Sequence, residues 1–137
     1  MIRQVEFQLP AYPRGFHLIS TIVIDKLGVL PELGILHLFI KHSSAGLTIN
    51  ENADPTVRSD MEKSFDLLAK EREAFYEHTY EGDDDMPAHI KATLAGFSLT
   101  IPISNGRLNF GTWQGIYLGE FRNSGGQRSL VGTIQGY

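Results

Sequence analysis

The chain reads as a single α+β domain, with a mostly antiparallel, β-sandwich-like core and two to three helices. Three observations predict this. Segments with two-residue periodicity occur at both ends of the chain. Two amphipathic stretches open on helix-start signals, Asp54-Pro55 and Asp85-Met86-Pro87. The 137 residues, 42% of them hydrophobic, supply one core but not two, so residues 1–137 are read as one domain.

The elements follow in order. Val5, Phe7 and Leu9 alternate with polar neighbours and make a half-buried strand that Pro10 ends. Phe16 to Leu30 starts as a strand and turns at Ser20 into a short helix carrying Val23, Leu27 and Leu30, closed by Pro31 and Gly34. Ile35 to Ile40 is almost continuously apolar, as a buried strand is. Leu47 to Asn52 is the next strand, with Leu47 and Ile49 on one face. Asp54 then caps a helix over roughly 55–73, whose stripe is Val57, Met61, Phe65 and Leu68. A second helix begins at Pro87, turns Ile90 and Leu94 inward, and ends at Gly96. From Phe97 the period is two again. Asn105-Gly106 is a two-residue hairpin turn, with Leu108 and Phe110 on the return strand. Gly115–Arg122 and Leu130–Gln135 complete the strands.

The totals exclude several classes. A net charge of −4 with 12 scattered Lys and Arg offers no nucleic-acid footprint. Cysteine is absent, which removes disulfides and thiolate metal sites. No apolar run reaches the ~20 residues that cross a bilayer. Met1 to Pro10 alternates polar and apolar residues, unlike a secretion signal, so a cytoplasmic address is expected.

Three polar segments concentrate the chemistry. In His42–Pro55, His42 shares a strand face with Leu36, Leu38 and Ile40 and stands at the edge of the core. Capping explains Asp54 and, less well, Asn52, but neither His42 nor Glu51. In His78–Lys91, acids favour a helix start for dipole reasons. That accounts for one or two carboxylates, whereas Glu81, Asp83, Asp84 and Asp85 together repel without a cation. His89 and Thr93 share a helix face distinct from Ile90 and Leu94. His42, His78 and His89 are therefore candidate ligands of one divalent ion, an open three-His site of the zinc type. Alternatively the three Asp would hold Mg2+ through oxygen ligands. In Gly111–Arg122, Gly111, Trp113, Gly115, Tyr117, Gly119 and Phe121 share one strand face. Rings there fold over bare backbone, and the face seeks a partner layer that one small domain does not supply, which predicts assembly with other copies of the chain. Glu120 and Arg122 lie on the opposite face, placed to pair with each other or to contact substrate. Lys91, Arg107 and Arg122 are the available cationic partners for a phosphate.

These segments, HSSAGLTINENADPTVRSD, EGDDDMPAHIK and GRLNFGTWQGIYLGEFR, resemble the YjbQ-type family of small proteins, often labelled secondary thiamine-phosphate synthase. The similarity runs from Gly15-Phe16-His17 to Gly136. It implies an α+β fold, a homotrimer, and functional positions at His42, Glu51, Asn52, Asp54, His78, Glu81, Asp84, His89, Trp113, Gln114, Glu120 and Arg122. It also implies condensation of a pyrimidine diphosphate with a thiazole phosphate, releasing pyrophosphate. That reaction needs a divalent cation, Zn or Mg, and cationic groups on the diphosphate. A (β/α)8 barrel, which needs roughly 200 residues, is beyond this chain.

The expected roles are then as follows. His42, Glu51, Glu81 and His89 are the catalytic candidates. Asn52, Asp84, Lys91, Gln114, Glu120 and Arg122 are the substrate-binding ones. The expected partner is a small phosphorylated metabolite. Two other readings stay open: a metal-dependent hydrolase with Glu51 or Glu81 as base, and a non-catalytic metabolite-binding module.

Overall fold

The computed structural model describes residues 1–137. Its strands are β1 (Ile2–Leu9), β2 (Gly15–Leu18), β3 (Leu33–Ile40), β4 (Ala45–Glu51), β5 (Ser98–Ser104), β6 (Arg107–Leu108), β7 (Gln114–Glu120) and β8 (Arg128–Gly136). Its helices are α1 (Ser20–Leu27), α2 (Pro55–Leu68) and α3 (Asp85–Ala95). All pairings are antiparallel, in a five-stranded sheet ordered β1-β8-β3-β5-β6 and a three-stranded sheet ordered β2-β7-β4. Leu36, Leu38, Ile101, Leu130 and Ile134 of the larger sheet meet Leu47, Ile116 and Leu118 of the smaller one in the main core. Val23 and Leu27 of α1 join them. No helix is long and apolar enough to cross a membrane.

The second face of the small sheet is also covered. Phe16, Tyr117 and Phe121 pack against Ala88 and Ala92 of α3, with Met61 and Phe65 of α2 alongside. Beyond Gln114, β7 is thus buried on both faces. The glycine-and-aromatic face of this strand does fold rings over backbone: a side chain at Gly119 would overlap the Phe121 ring. Its partner layer, however, comes from the chain's own two helices. Period-two alternation shows that a face is apolar, not which element covers it.

Local signals set most element ends. Asn105 and Gly106 both have positive φ, 53° and 73°, as a two-residue hairpin requires. The Asp54 carboxylate accepts from the Thr56 N–H at 2.9 Å and Pro55 opens α2. The helix stops at Leu68 rather than near residue 73. Its stripe ends at Phe65, because Leu68 is exposed and the next position in register is the charged Arg72. Leu30 lies beyond α1, which Gly28 terminates at φ 70°. α3 begins at Asp85, two residues before Pro87, which still falls where helix N–H groups have no intrahelical partner. Its buried side is Ala88, Lys91 and Ala92, with Leu94 exposed, correcting the expected Ile90/Leu94 stripe.

Small residues bring α3 down onto β4. A Cβ at Gly46 would lie 2.8 Å from the Gly96 carbonyl oxygen and 2.9 Å from the Ala95 Cβ. The Leu47 N–H donates to the same Gly96 oxygen at 3.0 Å. Gly46→Ala is therefore expected to destabilise the fold by about 1–3 kcal/mol through overpacking. An unchanged urea midpoint would show that α3 has room to move.

Candidate functional site

The site forms where α3 begins. Asp85 occupies its first turn, 1% exposed, and His89 follows one turn later. The loop before α3 adds His78. Asp85 Oδ2 lies 2.7 Å from His78 Nε2 and 3.3 Å from His89 Nε2. One ligand atom from each of these three residues falls within 4.8 Å of the others. The two imidazole centroids are 5.2 Å apart. Asp85 Oδ1 is held by Arg122 Nη1 at 2.8 Å. Arg122 also donates from Nε to Asp84 Oδ2 at 2.9 Å and from Nη2 to the Glu81 carbonyl oxygen at 2.9 Å. The Glu81 carboxylate stands at the rim, exposed and 3.7 Å from Arg122 Nη1.

Burial raises the proton affinity of Asp84. The Asn123 N–H and the Arg122 guanidinium outweigh it and hold this carboxyl below its ordinary value. Hydrogen bonding to Asp84 raises Arg122 in turn. The acidic run is not an oxygen cage. Asp83 turns outward to Arg72 at 3.1 Å, Asp84 to Arg122, and only Asp85 to the imidazoles. Asp83 has its own cation in Arg72 while Asp84 and Asp85 share Arg122, so the three carboxylates do not converge on one point, which corrects the expectation of a three-Asp Mg2+ site.

The expected three-imidazole cluster is corrected too. His42 lies beside the cluster but turns its ring away. Its Nε2 accepts from the Ser129 N–H at 2.8 Å. The adjacent Ser43 carbonyl accepts from His89 Nδ1 at 2.9 Å. Asp85 takes the place expected for His42. An i,i+4 Asp-x-x-x-His pair on one helix face carried that information.

The remaining candidates divide between places. Lys91 is buried and committed to Asp66, which Arg14 also holds. Glu120, fully buried, forks onto Arg128 at 2.6 and 2.8 Å and meets Arg122 only through the latter's backbone N–H. The expected Glu120–Arg122 pair fails because Arg122 lies past the end of β7, where the chain turns toward α3. Glu51, Asn52 and Gln114 gather at the other end of the small sheet. There Glu51 pairs with Gln114, and Asn52 Nδ2 donates to the Gln114 carbonyl at 3.2 Å. Ala45 pairs with Glu120 six residues away in register, so about 20 Å of strand separates the two ends.

The profile of the family described as "UPF0047 protein YjbQ-like" matches residues 5–137. The chain belongs to the YjbQ/UPF0047 family. It is 57% identical over 126 residues to UPF0047 protein YjbQ of Salmonella typhimurium, covering 90% of this chain and 91% of that one. It is 50% identical to UPF0047 protein YjbQ of Escherichia coli O157:H7 over 97% of both chains. The crystal structure of an uncharacterized conserved YjbQ/UPF0047 protein from Clostridium acetobutylicum superimposes with a TM-score of 0.82 at 36% identity, covering 96% and 99% of the two chains. A YbjQ-like protein of unknown function from Sulfolobus solfataricus shares the fold with a TM-score of 0.86 at 23% identity, covering 100% and 99%. These relatives place the α+β fold within the YjbQ family.

Two predictions follow from this geometry. Glu120→Ala leaves the Arg128 guanidinium buried without its fork and is expected to cost about 3–5 kcal/mol. Chemical denaturation checks this, and a loss below that range would mean water reaches Arg128. For His42, burial first and the Arg128 guanidinium second lower its proton affinity below the ordinary imidazole value. The neutral ring is thus favoured in the folded chain. Its contribution to stability is present above the unfolded value, about pH 6.5. It is lost as pH falls from there through the lower folded value. An NMR titration of the His42 ring with a midpoint at or above 6.5 would contradict this.

Proposed function

We propose that this chain is an enzyme acting on a small phosphorylated metabolite, with one divalent cation held by His78, Asp85 and His89. The supporting observation is the orientation of His89. Its Nδ1 faces the Ser43 carbonyl, which can only accept, so Nδ1 carries the proton. In the neutral ring, Nε2 then presents a lone pair to Asp85 Oδ2, a second acceptor 3.3 Å away. Two acceptors in contact require a cation or a proton between them. Charge favours the cation. Glu81, Asp84 and Asp85 surround a single guanidinium, leaving an excess of two negative charges.

Two imidazoles and one carboxylate suit Zn2+ better than Mg2+. When bound, such an ion supplies Lewis acidity toward a phosphoryl oxygen. The chain's own groups have the remaining roles. Arg122 orients Asp85 and adds positive charge toward an anionic substrate. Glu81, exposed at the rim, accepts or returns a proton. The Ser43 carbonyl fixes the His89 tautomer. A nitrogen-rich donor set with a solvent-exposed carboxylate at its edge favours phosphoester hydrolysis. The thiamine-phosphate condensation associated with the family label is a second reading that rests on the resemblance alone, because all three nitrogens of the Arg122 fork are already engaged by Asp84, Asp85 and the Glu81 carbonyl oxygen. In this reading the protein is a cytoplasmic homotrimer, assembled through a surface other than the covered glycine-and-aromatic face. The outer side of the larger sheet, where Ile35 and Phe39 are exposed, is one apolar face that could serve.

The test is metal uptake followed by turnover. The unchanged protein is expected to take up Zn2+ in stoichiometric amount. With the metal it should turn over members of a phosphoester panel or the two thiamine precursors. Asp85→Asn should lose at least about 100-fold in kcat/KM, the upper range for disturbing even an outer partner of a metal ligand. Absence of stoichiometric Zn2+, or full activity in Asp85→Asn, would overturn the proposal.

A further inference from the structure

The segment His42–Ser44 leaves β3 at the point where the β3–β8 ladder ends, with Ile40 opposite Leu130. One more backbone bond follows, from the Lys41 N–H to the Ser129 carbonyl at 3.0 Å. The return bond is made by a side chain, since the Ser129 N–H donates to His42 Nε2 at 2.8 Å. The imidazole nitrogen therefore stands where a strand carbonyl would otherwise accept. This substitution releases the backbone of residues 42–44 from the sheet without leaving the Ser129 donor unpaired. The carbonyls of this stretch instead meet side chains of α3 and of the start of β8. Ser43 accepts from His89 Nδ1 at 2.9 Å on α3, and Ser44 accepts from Arg128 Nη2 at 3.4 Å. Arg128 is itself fixed by its buried fork to Glu120.

We infer that His42 is a positioning residue for the metal centre. By capping the ladder with its ring, it aims the Ser43 carbonyl at His89 and so presents His89 Nε2 to the cation. Its Nε2 is committed to the Ser129 N–H, and it is not one of the groups that converge on the cation. The inference rests on the metal reading above. Only a side chain with an acceptor at the reach of Nε2 can do this, and glutamine, through Oε1, has that reach.

The experiment uses calorimetric titration of the full chain with Zn2+ alone, together with 15N NMR of the His89 ring before metal is added. His42→Ala is expected to weaken Zn2+ binding by about 10-fold or more, as loss of outer-shell support does. It should also broaden or shift His89 away from the Nδ1–H form. His42→Gln should restore both readouts to within about 3-fold of the unchanged protein, well short of that outer-shell loss. Ile103→Val, a core change remote from this loop, should lower thermal stability without moving either readout. Zn2+ uptake by the unchanged protein and His42→Ala with equal affinity would overturn the positioning role alone. Equal weakening by Ile103→Val would do the same, reducing the effect to general loss of stability. Failure of the unchanged protein to take up Zn2+ would remove the metal reading and this inference together.

Discussion

Burial of the Asp85 carboxylate is the constraint around which this end of the molecule is organised. A carboxylate 1% exposed survives only with partners on both oxygens. Here they come from two directions, His78 from the loop before α3 and Arg122 from beyond β7, while His89, on the next turn of α3, faces the same oxygen as His78. Meeting that requirement ties loop, helix and sheet to one point. The same contacts leave two imidazole nitrogens aimed at a single oxygen. A stability demand and a chemical arrangement are thus met by the same atoms.

The small sheet makes such a point available. β7 is buried on both sides, with Ile116 and Leu118 facing the larger sheet and Tyr117 and Phe121 facing the helices. Its strand direction carries Arg122 out of the sheet beside the start of α3. A second buried fork, Glu120 to Arg128, closes the same end of the strand and anchors the Ser44 carbonyl. Lys91, paired with Asp66 under α3, ties that helix to α2. Ion pairs in this molecule are concentrated where helices meet sheet ends, and several have a partner withdrawn from water. In that setting they define orientation more than they add net stability.

Much of the fold was legible in the sequence because it is written in local chemistry. Asp54-Pro55, Asn105-Gly106 and the alternation through Leu99, Ile101 and Ile103 each act within a few residues. The end of α2 was less legible, since it depends on Leu68 finding nothing to pack against. The site was legible as a set of segments, not as a set of contacts. His78, His89, Glu81, Asp84 and Arg122 do come together. Asp85 stands in the sequence as one acid among four, and its selection depends on where α3 docks. From the sequence His42 looks like a ligand because its strand face points to the core edge. Its true partner, the Ser129 N–H, lies across a sheet register that spacing alone does not reveal. Glu51, Asn52 and Gln114 are brought close to one another by strand pairing, but at the opposite end of the sheet.

The missing side chain at position 46 reaches further than its own contacts. A helix behaves as a stiff rod over this length, and Gly46 seats one end of it against Ala95 and Gly96. At the other end the rod carries both Asp85 and His89. Any lift at the seated end shifts the direction of the pair that faces His78. Packing tightness and the alignment of the polar cluster are therefore not independent variables here: a single methyl group in a strand would be felt as a change of angle among nitrogen and oxygen atoms at the far end of the helix.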